Sequence, residues 1–444
     1  MNILDKLKVA SAVRNTFQNP EIFDGIEEFG ILRLEYEIDE VNILDILVKI
    51  RNIDKIYWCN RDKSFEAVAT YDLVTNQYLT EDEFIKSLGS GIRYYASQKF
   101  DLDTNVTKKW AKFGTQPIVV PFWSIERIKD KYFFVINISK KMLSEISVRG
   151  VKSVFPFELS YDKLSENKIK YSSITHAPNH EKWIENIEEC LILLDSGELK
   201  KIVMARMSKV QLSAKQRPDN VFTNLIKNKD NSYAFYFQMD TNAAFMGVSP
   251  EMLFKTKGNI LICDALAGSA PRGNSPEEDE AIAANLLQDA KELNEHKMVA
   301  LFLRYRLSKI ADKVKFIKKL SIRKLQNIQH IHSQLKAKMQ ANPNPLVLIE
   351  NLSPTPAVAG FPQRMAMEVI KSIEKFDRGH YAGAVGTISA EDSEFCVAIR
   401  SALYFDNQLY VYSGAGIVPD SDPEKEWEEI ENKMKNFTEI FVHE

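Results

Sequence analysis

The stretch GAGIVPDSDPEKEWEEIENK, Gly414 to Lys433, decides how the rest of this chain is read. A short apolar run, Leu409 to Tyr412, leads into a glycine-alanine-glycine turn. Asp422 is placed to cap a helix whose first residue is Pro423, where the missing N–H costs nothing. On that helix Trp427, Ile430, Met434 and Phe437 recur at i, i+3, i+7 and i+10, a stripe that faces a core. Glu426, Glu429 and Lys433 follow the same spacing on another face. Alone, that face reads as a solvated surface held by i,i+4 ion pairs. A second Glu-x-x-Glu far upstream, Glu292 with Glu295, also falls on a long predicted helix and changes the reading.

The chain around this stretch has 444 residues, long for one simple core but within reach of a single large α+β domain. With 45% hydrophobic and 27% charged residues it has the composition of an ordinary soluble globular protein. A net charge of −3 gives no electrostatic footprint for nucleic acid. Cys59, Cys190, Cys263 and Cys396 are scattered with no Cys-x-x-Cys, so neither a zinc site nor a disulfide framework is indicated. The start, MNILDKLKVASAVRN, lacks the apolar core of a signal peptide, and no run is long enough to span a bilayer. A cytoplasmic protein without membrane contact is the expectation.

Residues 1 to about 165 read as mostly strand with some helix, in GILRLEYEI, DKIYWCN, SFEAVATYDLV and KYFFVINIS, and carry no chemical constellation. The polar YSSITHAPNH, 171 to 180, reads as a linker or long loop with His176 and His180 on its surface. WIENIEECLILLDSGELK reads as an amphipathic helix with Trp183, Ile187, Ile192 and Leu193 or Leu194 inward. KIVMARMSKVQL is a strand that begins on Lys201. SYAFYFQM, AAFMGV, EMLFKTK and NILICDAL read as strands of one antiparallel sheet, with a hairpin turn at Lys257-Gly258-Asn259. Ser275 caps and Pro276 opens a helix predicted to run through Glu295 to Leu307. A helix around 364 to 374 follows, then strands GAVGTIS, EFCVAIRSALYF and QLYVYSG. Strand groups separated by long helices predict α+β rather than a βαβ series, so no Rossmann unit is expected.

Several of these residues suit chemistry. Lys201 opens an apolar strand: it is either a strand-end lysine that snorkels to water or a partly buried base with a lowered pKa. Glu251, after Ser249-Pro250, lies between two apolar runs: it is either at a strand edge or an acid with a raised pKa. The pairs Glu292/Glu295 and Glu426/Glu429, if they face each other, make a site for a hard divalent cation. Mg²⁺ fits best, since it takes few protein carboxylates and keeps positions for water and an anion. Arg400, on a predicted strand, and Lys433 could hold substrate carboxylates, the guanidinium bidentately. The Gly414-Ala415-Gly416 turn and Gly268 of ALAGSAPRG would present backbone N–H groups to an anion.

Taken in this order, the residues resemble the chorismate-utilising enzyme family, and within it isochorismate synthases. The resemblance covers roughly 175 to 440 in many separate motifs. It implies a chorismate-binding α/β/β/α sandwich of the anthranilate synthase component I type, with large antiparallel sheets. Residues 1–165 would form the strand-rich N-terminal half and 175–444 the catalytic region. KIVMAR resembles the lysine-led strand, making Lys201 the base that activates water. GVSPEMLF resembles the SPE motif, making Glu251 the general acid. ALAGSAPRG resembles the turn that meets a substrate carboxylate, here Gly268 and Ser269. ELNEHKMV supplies Glu295 as a magnesium ligand with Glu292 behind it. QHIHSQL places His330 near the substrate, and PTPAVAGFP supplies Thr355. YAGAVG, FCVAIRSA and the opening stretch place Tyr381, Arg400 and the Gly414 amide on the enolpyruvyl carboxylate. Glu429, with Glu426 behind it, joins Glu295 on the Mg²⁺ near Lys433. Two positions depart from the family pattern: Ser353 stands where histidine is usual, and Thr387 where tyrosine is frequent.

The activity so implied is an isomerase reaction, Mg²⁺-dependent addition of water at C2 of chorismate with loss of the C4 hydroxyl. A salicylate synthase, or another chorismate-utilising enzyme, is the alternative, and a catalytically inactive chorismate-binding homologue is the non-enzymatic one. A lysine nucleophile of the aminodeoxychorismate kind would sit at Ala267, and no glutaminase subunit is expected. The long N-terminal half points to menaquinone rather than siderophore biosynthesis. A monomer or a homodimer is expected.

Overall fold

The computed structural model describes residues 3–23, 30–51, 54–71, 84, 91–139, 143, 168–227, 231–325, 328–341 and 343–443. Among them two sheets account for most of the chain. The larger has 13 strands. Its order is β1 (Ile31–Ile38), β7 (Lys131–Ser139), β6 (Trp123–Ile128), β3 (Phe65–Tyr71), β2 (Asp54–Cys59), β10 (Tyr233–Asp240), β11 (Ala243–Ser249), β19 (Ser401–Phe405), β20 (Gln408–Ile417), β9 (Lys201–Leu212), β8 (Ile169–Ala177) and β21 (Phe441–His443). The short β16 (Gly360–Phe361) also pairs with β9. The smaller has eight, in the order β14 (Lys313–Lys324), β15 (Ile328–Lys338), β13 (Ile260–Pro271), β12 (Met252–Lys257), β18 (Asp392–Val397), β17 (Ala384–Ile388), β4 (Tyr94–Gln98) and β5 (Ile118–Val119). All pairings are antiparallel except β21 with β8.

Alternation along the strands builds two cores. Trp58 and Phe235 of the larger sheet join Phe254 and Phe395 of the smaller in one apolar cluster. Their neighbours Tyr57 and Tyr236 point the other way, into a second cluster with Leu47, Phe222 and Phe437 from helices Ile43–Lys49, Pro218–Ile226 and Pro423–Thr438. Helix Ala290–Ser308 lies along β13 and β15 of the smaller sheet. This is the expected α+β sandwich with large antiparallel sheets. The N-terminal strands belong to both sheets, since β2 pairs with β10 and β4 with β17. Residues 72–74 of SFEAVATYDLV, and 140–142 and 144–165 of the N-terminal half, lie outside the described residues. No helix among the described residues is long and apolar enough to cross a membrane.

Several elements differ from the sequence reading, each for a physical reason. The four strands between 233 and 271 do not form one sheet. The chain leaves the larger sheet at Ser249 and enters the smaller at Met252, at Pro250, which has no N–H to give a ladder. EFCVAIRSALYF breaks likewise. β18 ends at Val397, β19 starts at Ser401, and Arg400 lies in the crossing with φ +49° rather than on a strand. YSSITHAPNH is largely strand: β8 pairs with β9, and its polar residues reflect its half-exposed position. In it His176 is half-buried, with Nδ1 2.9 Å from Ser208 Oγ, whereas the exposed His180 opens the next helix, 2.9 Å from Glu424.

On that helix Cys190 and Leu194 complete the buried stripe, while Ile192 is 72% exposed and Leu193 38%. The helix foreseen from Ser275 to Leu307 is two, Pro276–Leu286 and Ala290–Ser308, because Asp289 accepts from Glu292 N–H and caps the second. Gly414 to Gly416 lie inside β20, not in a turn. The opening helix is as read: Asp422 accepts from the N–H groups of Glu424 and Lys425, and Ile430, Met434 and Phe437 are buried.

Candidate active site

The two crossings run side by side. β11 pairs with β19 and β12 with β18, so the chain leaving at Ser249 is antiparallel to the chain returning at Ser401. Val248 N–H donates to Arg400 O at 3.1 Å, and Val397 N–H donates to Glu251 O at 3.0 Å. Ser249 Oγ donates to Val397 O at 2.6 Å. Glu251 and Arg400 are thereby fixed at one seam, both on the wall of a cavity of about 480 Å³. Burial pushes the Glu251 carboxyl up to about 8, with the Lys201 charge pulling it down and Asp264 pushing it further up. The acid is therefore protonated near neutral pH. Burial, then the charge of Arg323, lowers Arg400 to about 10. No side chain among the described residues pairs with its guanidinium, which is free to take an anion.

β9 and β20 form a second wall. Lys201, 1% exposed, stands behind Gly416 with its Nζ 2.7 Å from Glu295 Oε1. A Cβ on Gly416 would lie 2.9 Å from Lys201 Cε and 3.3 Å from its Nζ, so only glycine leaves the ammonium its place. Tyr381 is buried and stacked on Tyr412 at 5.2 Å, its hydroxyl 2.9 Å from where a Gly414 Cβ would be. Lys433 Nζ donates to Gly414 O at 2.9 Å and lies 2.7 Å from Glu429 Oε1.

The third wall is a bulge. The β13–β15 register slips between Leu266 and Ser269, where Gly268 has φ +78°. Beyond it Ser269 is opposite His330. Burial and the charges of Arg400 and Lys433 hold the His330 imidazole well below its ordinary range, hence neutral. Ser269 N–H donates to Glu292 Oε2 at 2.7 Å, so here it faces a carboxylate of the chain itself. Thr355 is not on the cavity wall. It is buried and its carbonyl accepts from the Val358 and Ala359 N–H groups, while Ala357 and Val358 line the cavity instead.

Glu292, Glu295, Glu426 and Glu429 all line the cavity, from helices Ala290–Ser308 and Pro423–Thr438. Burial, then the charge of Glu295, raises Glu292 to about 7. Burial, then Glu429, raises Glu426 to about 7. Burial also pushes Glu429 up, but Lys433, Glu426 and Lys291 together hold that carboxyl below its ordinary value. Glu426 Oε2 is buried without a partner, and Lys291 Nζ lies 3.8 Å from Oε1. Among the described residues no three His, Cys, Asp or Glu side chains already close on a metal-sized point. The donors are nonetheless all hard oxygens, two of the carboxyls pushed toward protonation by burial and then by a neighbouring carboxylate, and one oxygen, Glu426 Oε2, without a partner. That set fits a hard divalent cation.

Sequence reasoning missed Asp264, which the bonds of Arg61, Arg323 and Gln334 converge on beneath this site. Its signal was a lone carboxylate inside the apolar NILICDAL.

A two-sheet sandwich with a buried acid, a free guanidinium and paired carboxylates on one cavity, and Lys201 behind its Gly416 wall, goes with one family. The chorismate binding enzyme family covers residues 24–442, and the chain belongs to it. It is 34% identical over 266 residues to isochorismate synthase MenF of Haemophilus influenzae, covering 60% of this chain and 62% of that protein. It is 30% identical over 380 residues to isochorismate synthase 2, chloroplastic, of Arabidopsis thaliana, covering 81% of this chain and 66% of that protein. The matches thus span under two-thirds of either relative's length. MenF, the menaquinone-specific isochorismate synthase of Escherichia coli, shares the fold with a TM-score of 0.87 at 24% identity, over 97% of this chain and 99% of that one.

Proposed function

We propose that this protein is an isochorismate synthase, converting chorismate to isochorismate. The observation that carries this reading is the buried Glu251 carboxyl, protonated at neutral pH on the wall of a cavity that Arg400 and two carboxylate pairs share. Chorismate carries two carboxylates. Arg400 takes the enolpyruvyl one without losing a protein partner, helped by Tyr381 and the Gly414 amide. The bulge at Gly268 and Ser269, with His330 and Lys433, lies on the side of the ring carboxylate. Glu295 and Glu429 would hold Mg²⁺, with Glu292 and Glu426 behind them. When bound, the ion supplies neutralisation of the ring carboxylate.

To act as a base Lys201 must release Glu295 and enter the step as the neutral amine. It takes a proton from water as the water oxygen bonds to C2. The ring double bonds shift, the C4–O bond breaks, and Glu251 gives its proton to the departing hydroxyl, which leaves as water. One water enters and one leaves, so the conversion is an isomerisation. Lys201 ends as ammonium and Glu251 as carboxylate, and solvent returns the proton from one to the other. In this reading 175–444 is the catalytic region and 1–165 completes both sheets. A cytoplasmic, menaquinone-type enzyme working without a glutaminase subunit goes with it.

The test is chorismate with Mg²⁺ and no ammonia, the products separated by chromatography. Isochorismate alone is expected. Salicylate with pyruvate would overturn the reading in favour of a salicylate synthase, and no consumption would leave a binding protein.

A further inference from the structure

Behind Glu251 lies a charge cluster that the mechanism does not use. Asp264, on β13, is buried with a side chain 0% exposed. Its Oδ2 accepts from Arg61 Nη1 at 2.6 Å and from Arg323 Nη1 at 3.2 Å. Its Oδ1 accepts from Gln334 Nε2 at 2.9 Å and lies 3.0 Å from His332 Nε2. The two arginines come from separate parts of the chain, Arg61 from the turn after β2 and Arg323 from β14. Both are anchored on backbone. Arg61 also reaches the carbonyl of Pro250, the residue before Glu251, at 3.5 Å, and Arg323 Nη2 donates to Asn231 O at 3.0 Å. One carboxylate thus faces two guanidiniums directly beneath the crossing that carries the acid.

We propose that Asp264 is a positioning residue for the acid step: it holds Arg61 and Arg323 in place under Glu251 and offsets one of their two charges, so that Glu251 keeps the proton it must donate. The proposal rests on the acid role given to Glu251 above. The charged or titratable groups acting on or around Glu251 are Lys201 from β9, Asp264 from β13, Arg323 from β14, Arg61 from the turn after β2 and Cys396 from β18. Lys201 and Arg323 favour its carboxylate, and Asp264 opposes them. Removing the charge of Asp264 leaves two uncompensated guanidiniums, which favour loss of the Glu251 proton. Removing one guanidinium does the reverse.

The experiment is a charge cycle. The pH profile of kcat/KM for chorismate is measured at saturating Mg²⁺ for the wild type, Asp264→Asn, Arg323→Gln and the double variant. The carboxyl stretch of Glu251 is followed in parallel by infrared difference spectroscopy, assigned with Glu251→Gln. The alkaline limb is expected to move to lower pH by about one unit in Asp264→Asn and to higher pH by a similar amount in Arg323→Gln, as for one charge several ångströms away. It should return close to the wild-type position in the double variant. A limb that stays put in both single variants while kcat falls would overturn the proposal, leaving Asp264 a structural residue. If Asp264→Asn does not fold, the upward shift in Arg323→Gln still decides the matter. If the wild type makes no isochorismate, the functional reading fails, and the infrared titration of Glu251 alone supports or overturns the role given to Asp264.

Discussion

Gly416→Ala isolates the lysine without touching it. A methyl at this position would stand 2.9 Å from Lys201 Cε, 3.3 Å from Nζ and 3.5 Å from Glu295 Oε1. Carbon–carbon contacts settle near 3.5–4.0 Å, so the end of Lys201 must withdraw by about 0.6–1 Å. The atom that yields is the far end of a flexible chain, and Gly416 has no left-handed backbone to strain. The stability cost is therefore small, about 0.5–1.5 kcal/mol for an off-rotamer side chain. The catalytic cost is large, because misplacing a reacting group by about 1 Å lowers a rate on the order of 10²-fold. Turnover is read as chorismate consumption and isochorismate formation, and stability as a thermal midpoint. We expect kcat to fall about 10²-fold with the midpoint almost unmoved. Wild-type turnover would refute Lys201 as the base. A collapse of stability would show that the backbone, not the lysine, had given way.

Mg²⁺ should stabilise the wild type by about 2.7 kcal/mol at a hundredfold excess over Kd, read as a rise in its thermal midpoint. Glu295→Gln and Glu429→Gln should lose both that rise and turnover while remaining folded, and an undiminished Mg²⁺ shift in both would remove them from the cation site. Arg400→Lys replaces a fork by a point donor, so KM should rise by the equivalent of about 1.5–3 kcal/mol. Unchanged KM and kcat would make Arg400 structural. Because Glu251 must be protonated to donate and burial lifts it to about 8, kcat/KM should fall as pH rises through that value. Glu251→Gln, which cannot donate as an acid does, should lose about 10²–10⁴-fold in rate, and a variant that keeps full turnover would place the acid elsewhere.

Local signals carried much of the fold. The strand that starts on Lys201 is an apolar run bounded by Gly197 and polar residues, and the i, i+3, i+7 stripe of 423–438 is a helix wherever it lands. Both are properties of short windows. What escaped is decided by pairing across hundreds of residues. Pro250 marked the end of a strand, but nothing nearby says that the next strand joins the other sheet. Arg400 follows an apolar pair and precedes Ser-Ala-Leu, so its window reads as continuous strand. The crossing exists because β18 and β19 pair with β12 and β11. β8 was hidden for another reason: its residues are mostly polar and half-exposed, which in a short window looks like a loop. Of the candidate site, the carboxylate pairs were legible through helical spacing. Asp264 was visible as an oddity, but its partners Arg61 and Arg323 lie far from it in sequence.

The seam explains why these residues come together. A group that is to be desolvated and still reach a ligand needs a place where packed sheet borders open space, and a sandwich provides this where strands change sheets. Three residues given roles in the reaction sit at that place. Glu251 and Arg400 lie on the two crossings, and Tyr381 is tied to the second, since Ala382 N–H donates to Ala398 O and Ala398 N–H donates to Gly383 O. The backbone is strained there: Ala382 has φ +62° and Arg400 φ +49°, each a conformation that costs a non-glycine residue about 1–2 kcal/mol. Glycine at either position would relieve that strain. At 400 it would also remove the guanidinium, whose position depends on this backbone. The hydrogen bonds between the crossings then keep acid and guanidinium in fixed relation, because Val248 binds Arg400 and Val397 binds Glu251. Neither crossing can shift without carrying the other with it, so the strain and the register together set the distance between the Glu251 carboxyl and the Arg400 guanidinium.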